Sequence, residues 1–167
     1  RDEVGVGAAR PALAAQHGEP SGRLRISVPV LFGRHCIAPV LLQLAKQHPS
    51  LRIEVSFSDR VVDLVEEGYD LAVRVGSLQD TTSLASRRLG RQSMAICAAP
   101  SYLARHGRPK TLEEIGAQDC IIYSQTGRSA SWRVRQDREI RELRPVSRVV
   151  FDDLQAIADA AVAGAGF

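Results

Sequence analysis

The chain of 167 residues suits one domain of ordinary size or two small lobes sharing a crossover, and its 44% hydrophobic content supports a real core. Its 22 basic residues against 19 acids leave a net charge of +3, short of the concentrated basic face that nucleic acid requires. No apolar run approaches the roughly 18 residues needed to span a bilayer, and Cys36, Cys97 and Cys120 are odd in number and lack metal-like spacing, so a reduced, cytoplasmic setting is expected.

Residues 1–22 read as a linker. Ala8 to Gln16 suggests the end of a helix broken at Pro11, and Gly18 to Gly22 a flexible joint. The chain starts at Arg1 rather than Met, so a longer parent is expected; no compact apolar signal segment is visible. Leu24, Ile26 and Val28 alternate with Arg25 and Ser27 as a strand, broken at Pro29 and Gly33. A helix follows, with Val40, Leu41, Leu44 and Ala45 on one face and Pro49 as its stop. Leu51, Ile53, Val55 and Phe57 give a second strand. Ser58-Asp59 signals the cap of a helix carrying Val61, Val62, Leu64 and Val65, ended by Gly68, and Leu71, Val73 and Val75 supply a third strand. Strands alternating with helical spacing predict a parallel α/β sheet, whose ligands bind outside the carboxyl ends of the strands.

A short strand is expected near Leu84 to Leu89 and another from Ser93 to Ala98, then a helix from Pro100 to His106 stopped by Gly107 and a helical turn capped by Thr111. Cys120 to Tyr123 reads as a buried strand. Trp132 to Val134 and Pro145 to Phe151 read as two strands joined around the charged Gln136 to Glu142 segment. Asp152-Asp153 caps a last helix ending at Gly164. Between Arg128 and Arg148 seven arginines face three acids; the stretch is either a solvated surface or an anion-attracting lobe.

Catalytic signatures are missing. Val30 to Gly33 carries one glycine where a dinucleotide fingerprint needs three, no G-x-S-x-G elbow occurs, and the four histidines show no paired ligand spacing. The hydroxyl-rich run Ser124, Thr126, Ser129, Ser131 offers donors to an anion or is simply a polar loop. Strand and helix ends therefore supply the first-lobe candidates, Val30, Leu31, Phe32 and Gly33, then Ser58, Asp59 and Arg60, and finally Arg74 near the end of the third strand. Arg74 either pairs with a ligand carboxylate, which a guanidinium does well, or makes an internal ion pair with Asp59 or Asp70.

The runs Gly22-Arg-Leu-Arg-Ile-Ser-Val-Pro29, Leu44-Ala-Lys-Gln-His-Pro49, Ser58 to Gly76 (Ser-Asp-Arg-Val-Val-Asp-Leu-Val-Glu-Glu-Gly-Tyr-Asp-Leu-Ala-Val-Arg-Val-Gly), Arg88-Leu-Gly90, Ala99-Pro-Ser-Tyr-Leu103 and Ala158 to Phe167 resemble the effector-binding domain of LysR-type transcriptional regulators. The resemblance runs from about Pro20 to the end. It implies a two-lobed α/β fold like type 2 periplasmic binding proteins, with Rossmann-like lobes and mostly parallel sheets. Residues 1–22 would be the end of a linker helix, 23–92 lobe one, 93–163 lobe two and 164–167 the start of the return to lobe one. Lobe one would be incomplete because the chain ends first. By the same resemblance a small effector binds between the lobes, at Val30 to Gly33, Ser58 to Arg60, Ser124, and Phe151, Asp152 and Asp153. No catalytic residue, metal or cofactor is implied, and so no enzyme. The implied partners are the effector, DNA through a head outside this chain, a second copy or a tetramer, and RNA polymerase; no membrane is involved. Arg60, Arg74 and the helix N-termini motivate the hypothesis that the effector is a small anion such as a carboxylate. The alternatives are a periplasmic solute-binding protein of a transport system, marked by a secretory signal upstream, and a small α/β enzyme.

Overall fold

In the computed structural model, residues 2–9, 19–76, 84–125, 131–136 and 139–167 are described. They fall into two compact units, Arg1–Met94 and Ala95–Phe167.

The first unit is built on a five-stranded sheet. Its strands are β1 (Asp2–Ala9), β2 (Gly22–Val28), β3 (Leu51–Phe57), β4 (Leu71–Val75) and β5 (Leu84–Gln92), in the order β3-β2-β4-β1-β5. The three alternating runs of the sequence are the parallel part: β2 pairs β3 from Gly22↔Leu51 to Val28↔Phe57, and β4 through Ile26↔Leu71 and Ser27↔Ala72. Ile26, Val28 and Val73 form the core with Val4. β5 is longer than expected, and no strand forms at residues 93–99.

β1 departs from the linker reading of residues 1–22. It lies antiparallel between β4 and β5, with Val4↔Val75 and Gly5↔Arg74 on one side and Gly7↔Ser86 on the other. Val4, Val6 and Ala8 alternate with Gly5 and Gly7, so a period of two was present but the glycines disguised it as a joint. The expected helix end at Ala8 to Gln16 lies mostly outside the described residues.

The helix after β2 starts earlier than expected. Val30–Phe32 (α1) runs into a π-helical turn at Gly33–Ile37 and then α2 (Ala38–Gln47), so Val30 to Gly33 is helical rather than a loop. Phe32, Ile37 and Leu41 all pack on the core. In a plain α-helix a five-residue step, such as Phe32 to Ile37, would point about 140° away; the wider π turn absorbs the extra residue. Gly33 is buried there, and a Cβ on it would collide with Val28 Cγ2 and meet Phe57 Cδ1 at 3.0 Å.

No helix forms between Ser58 and Gly68. Asp63 Oδ1 instead accepts from the amides of Val65 and Glu66 at 2.9 and 3.0 Å, and the carbonyls of Glu67 and Gly68 are taken by Arg25 Nη1 at 3.2 and 3.0 Å. Of the expected apolar face Leu64 is buried, while Val61 and Val65 stand exposed. Backbone bonds from Glu67 N to Asp63 O at 3.0 Å and from Tyr69 N to Leu64 O at 2.8 Å close only a turn there, and Arg25 holds its last carbonyls.

The second unit begins with α3 (Pro100–His106) and α4 (Leu112–Gly116), the latter capped by Thr111 Oγ1 accepting from Glu114 N at 3.2 Å. β6 (Cys120–Tyr123) is buried and pairs in parallel with β9 (Ser147–Phe151). β7 (Trp132–Gln136) pairs antiparallel with β8 (Glu139–Leu143), so Glu139 to Glu142, expected in the link between two strands, lie in a strand themselves. α5 (Leu154–Val162) follows β9, and Gly164 with φ 79° closes it. Tyr102 is buried, its hydroxyl accepting from Asp119 N at 3.0 Å, and burial pushes its pKa up. Phe167 returns beside β6: its amide donates to Asp119 O at 2.9 Å and its carbonyl accepts from Ile121 N at 2.8 Å.

Candidate effector half-sites at the strand ends

Parallel pairing leaves the last carbonyls of adjacent strands at one edge, where the following residues must satisfy them. In the first unit Ser58, just past β3, donates its amide to Val28 O at the end of β2 at 2.8 Å. Asp59 then reaches across to the helix that follows β2, its Oδ1 accepting from Val30 N at 3.0 Å. Val30, Ser58 and Asp59 are therefore brought together, as the sequence expected. Phe32 and Gly33 lie among core contacts, and Leu31, between Val30 and Phe32, is half-buried.

Arg60 and Arg74 have separate fates. Arg60 is held by Glu67 through two hydrogen bonds, Nη1 to Oε1 at 2.8 Å and Nη2 to Oε2 at 2.6 Å. This pair raises the arginine pKa and lowers that of the carboxyl group, so Arg60 has an internal partner. Arg74 forms neither of the ion pairs considered for it. Its Nη2 donates to Ser27 Oγ at 2.7 Å and its Nη1 to Val73 O at 2.7 Å. Asp70 is used instead by Arg25 N at 2.8 Å. Burial lowers the Arg74 pKa, an effect opposed by the charge of Asp59. Among the described residues no carboxylate stands within ion-pair distance of Arg74.

Ser27 was not singled out by the sequence. It is fully buried in β2, where alternation had placed it on the polar face with Arg25. The available signal was topological: a central strand of a parallel sheet is buried on both faces, so a serine there needs a polar partner.

In the second unit Ser124, just past β6, donates its amide to Phe151 O at the end of β9 at 2.8 Å. Asp153 caps α5, its Oδ1 accepting from Ala156 N at 2.7 Å, and Asp152 lies exposed beside it. Ser124, Phe151, Asp152 and Asp153 are thus assembled at one edge. Of the hydroxyl run, Thr126 and Ser129 lie outside the described residues. Both helix starts carry the protein's own carboxylates, which removes them as ready anion sites. Among the described residues no group of three or more His, Cys, Asp or Glu side chains could hold a metal ion, and no helix is long and apolar enough to cross a membrane.

A family profile described as the LysR substrate binding domain matches residues 17–167. An uncharacterized HTH-type transcriptional regulator of Haemophilus influenzae is 37% identical over 145 residues, covering 87% of this chain and 50% of that protein. The HTH-type transcriptional regulator DmlR of Escherichia coli is 39% identical over 117 residues, covering 70% and 38%. The solved structure of CrgA, a LysR-type transcriptional regulator from Neisseria meningitidis, superposes with a TM-score of 0.77 at 25% identity, covering 91% of this chain and 51% of that one. The chain spans about half or less of the length of these relatives.

Proposed function

The chain belongs to the LysR substrate-binding domain family, and from that premise we propose that it is the sensor of a cytoplasmic transcription regulator, binding a small effector and passing its occupancy to a DNA-reading segment of the longer protein. The family match over residues 17–167 carries this reading. The proposed ligand contacts are the strand-end residues Val30, Leu31, Ser58, Asp59, Arg74, Ser124, Phe151, Asp152 and Asp153. Phe32 and Gly33 act behind them by placing the first helical turn, and Arg60 acts by tying the loop to Glu67. Sensing requires only that the ligand bind two conformations with different affinity, so the reading needs no nucleophile and proposes no turnover. Assembly with a second copy, or into a tetramer, and contact with RNA polymerase belong to the parent protein in this proposal. The transport reading is not favoured, since the relatives named above are transcriptional regulators.

A metabolite library screened by thermal shift, followed by hydrogen exchange on each hit, tests the proposal. Slowed exchange at residues 58–60 or at 124 and 151–153 is expected. A hit consumed by the protein, or hits that protect only other regions, would overturn it.

A further inference from the structure

We propose that Arg74, positioned by Ser27, is the carboxylate-recognising group of the first unit, so that the effector is a small organic acid; this rests on the effector-binding reading above. Three observations converge on it. Arg74 is a half-buried guanidinium at the carboxyl end of β4 with no carboxylate in ion-pair range among the described residues. A desolvated charge is costly unless paired, and the partners it does have are neutral, a hydroxyl and a carbonyl. The competing cation of the same unit, Arg60, is satisfied by two hydrogen bonds to Glu67.

The geometry favours a fork over a point charge. Two of the five guanidinium N–H bonds are spent on Ser27 and Val73, which fixes the plane of the group. Those remaining have no bond among the described residues and suit the two oxygens of a carboxylate. Ser27 is fully buried and its hydroxyl accepts from Arg74, so it acts as a positioning residue. Asp59 offsets part of the desolvation of Arg74 by its charge, yet its Oδ1 is bonded to Val30 N. It supports the guanidinium without saturating it. The helix start, already capped by Asp59, adds nothing to anion binding, so the proposal places selectivity for an acid on Arg74.

The test compares acids with their neutral analogues on the 167-residue chain. Acetate, succinate, benzoate and phenylacetate are each titrated beside the corresponding primary amide, by calorimetry and ligand-observed NMR. At least one acid is expected to bind about tenfold or more tightly than its amide, the worth of one charged hydrogen bond. Arg74→Gln should bring that ratio close to one. Arg74→Lys, which keeps the charge and guards against a folding defect, should retain part of the preference. Ser27→Ala should weaken acid binding without abolishing it. Amides binding as tightly as acids, a preference that survives Arg74→Gln, or no acid bound at all would each overturn the proposal. A neutral probe that slows exchange at residues 58–60 would keep the effector-binding reading while removing this one.

Discussion

At the edge of β2 and β3 the amide of Ser58 donates to Val28 O; at the edge of β6 and β9 the amide of Ser124 donates to Phe151 O, and both contacts are 2.8 Å long. Each junction also supplies an aspartate to a helix start, Asp59 to Val30 N and Asp153 to Ala156 N. The difference lies in reach. Asp153 caps its own helix three residues on, whereas Asp59 caps a helix 29 residues back in the chain. The first junction therefore depends on tertiary structure and carries a guanidinium beside its carboxylate. The second is local and presents carboxylates, Asp152 and Asp153.

The sharpest way to break the comparison is through the two close-packed glycines. A Cβ on Gly166 would collide with the backbone oxygen of Asp119, which cannot rotate away. A Cβ on Gly33 meets side chains, which can yield. Gly166→Ala is expected to cost about 3 kcal/mol and Gly33→Ala about 1–3 kcal/mol, both read as shifts in urea midpoint. Equal costs would mean that both sites relax alike.

Removing the caps should give a smaller effect. Asp153→Ala should lose about 1 kcal/mol, as an ordinary helix cap does. Asp59→Ala should lose a similar amount and also speed amide exchange at Val30 and Ser58, because it unties a strand end from a distant helix. If exchange rises only at Val30, Asp59 is as local in effect as Asp153.

The smallest effect is electrostatic. The Arg60 hydrogen bonds hold the Glu67 carboxyl below its ordinary range. A carboxylate with a depressed folded pKa stabilises the fold above its unfolded pKa, and that contribution is lost as pH falls through the folded value. Wild type should therefore exceed Glu67→Gln in melting temperature near neutrality, and the two curves should converge at pH values below the usual carboxylate range. The pair is at the surface, so salt should shrink the gap.

The same contrast between local and distant partners decides what the sequence revealed. β2, β3 and β4 were legible because alternation is a local property, and the Asp153 and Thr111 caps because each partner lies three residues away. The Ser58 to Gly68 segment misled because its two ends are tied to distant partners, Asp59 to Val30 N and the carbonyls of Glu67 and Gly68 to Arg25, which spacing along the chain does not show. β1 was hidden by Gly5 and Gly7, and β8 by the charges of Glu139, Arg141 and Glu142 on an exposed hairpin. Within the candidate site, the clustering of Ser58 with Val30 and of Ser124 with Phe151 was expected. The separation of Arg60 from Arg74 was not, since it turned on Glu67 and Ser27.

The π turn at Gly33–Ile37 gives the helix one residue more than its apolar stripe requires. Loss of one residue among the exposed positions 34–36 would restore ordinary α-helical spacing between Phe32 and Ile37 and keep both on the core. It would also draw the first turn back by about 1.5 Å, lifting Val30 away from Asp59. A single-codon deletion would in this way move the strand-end edge at Val30 while sparing the interior, which makes this helix a place where descendants of one gene can change that edge without repacking the core.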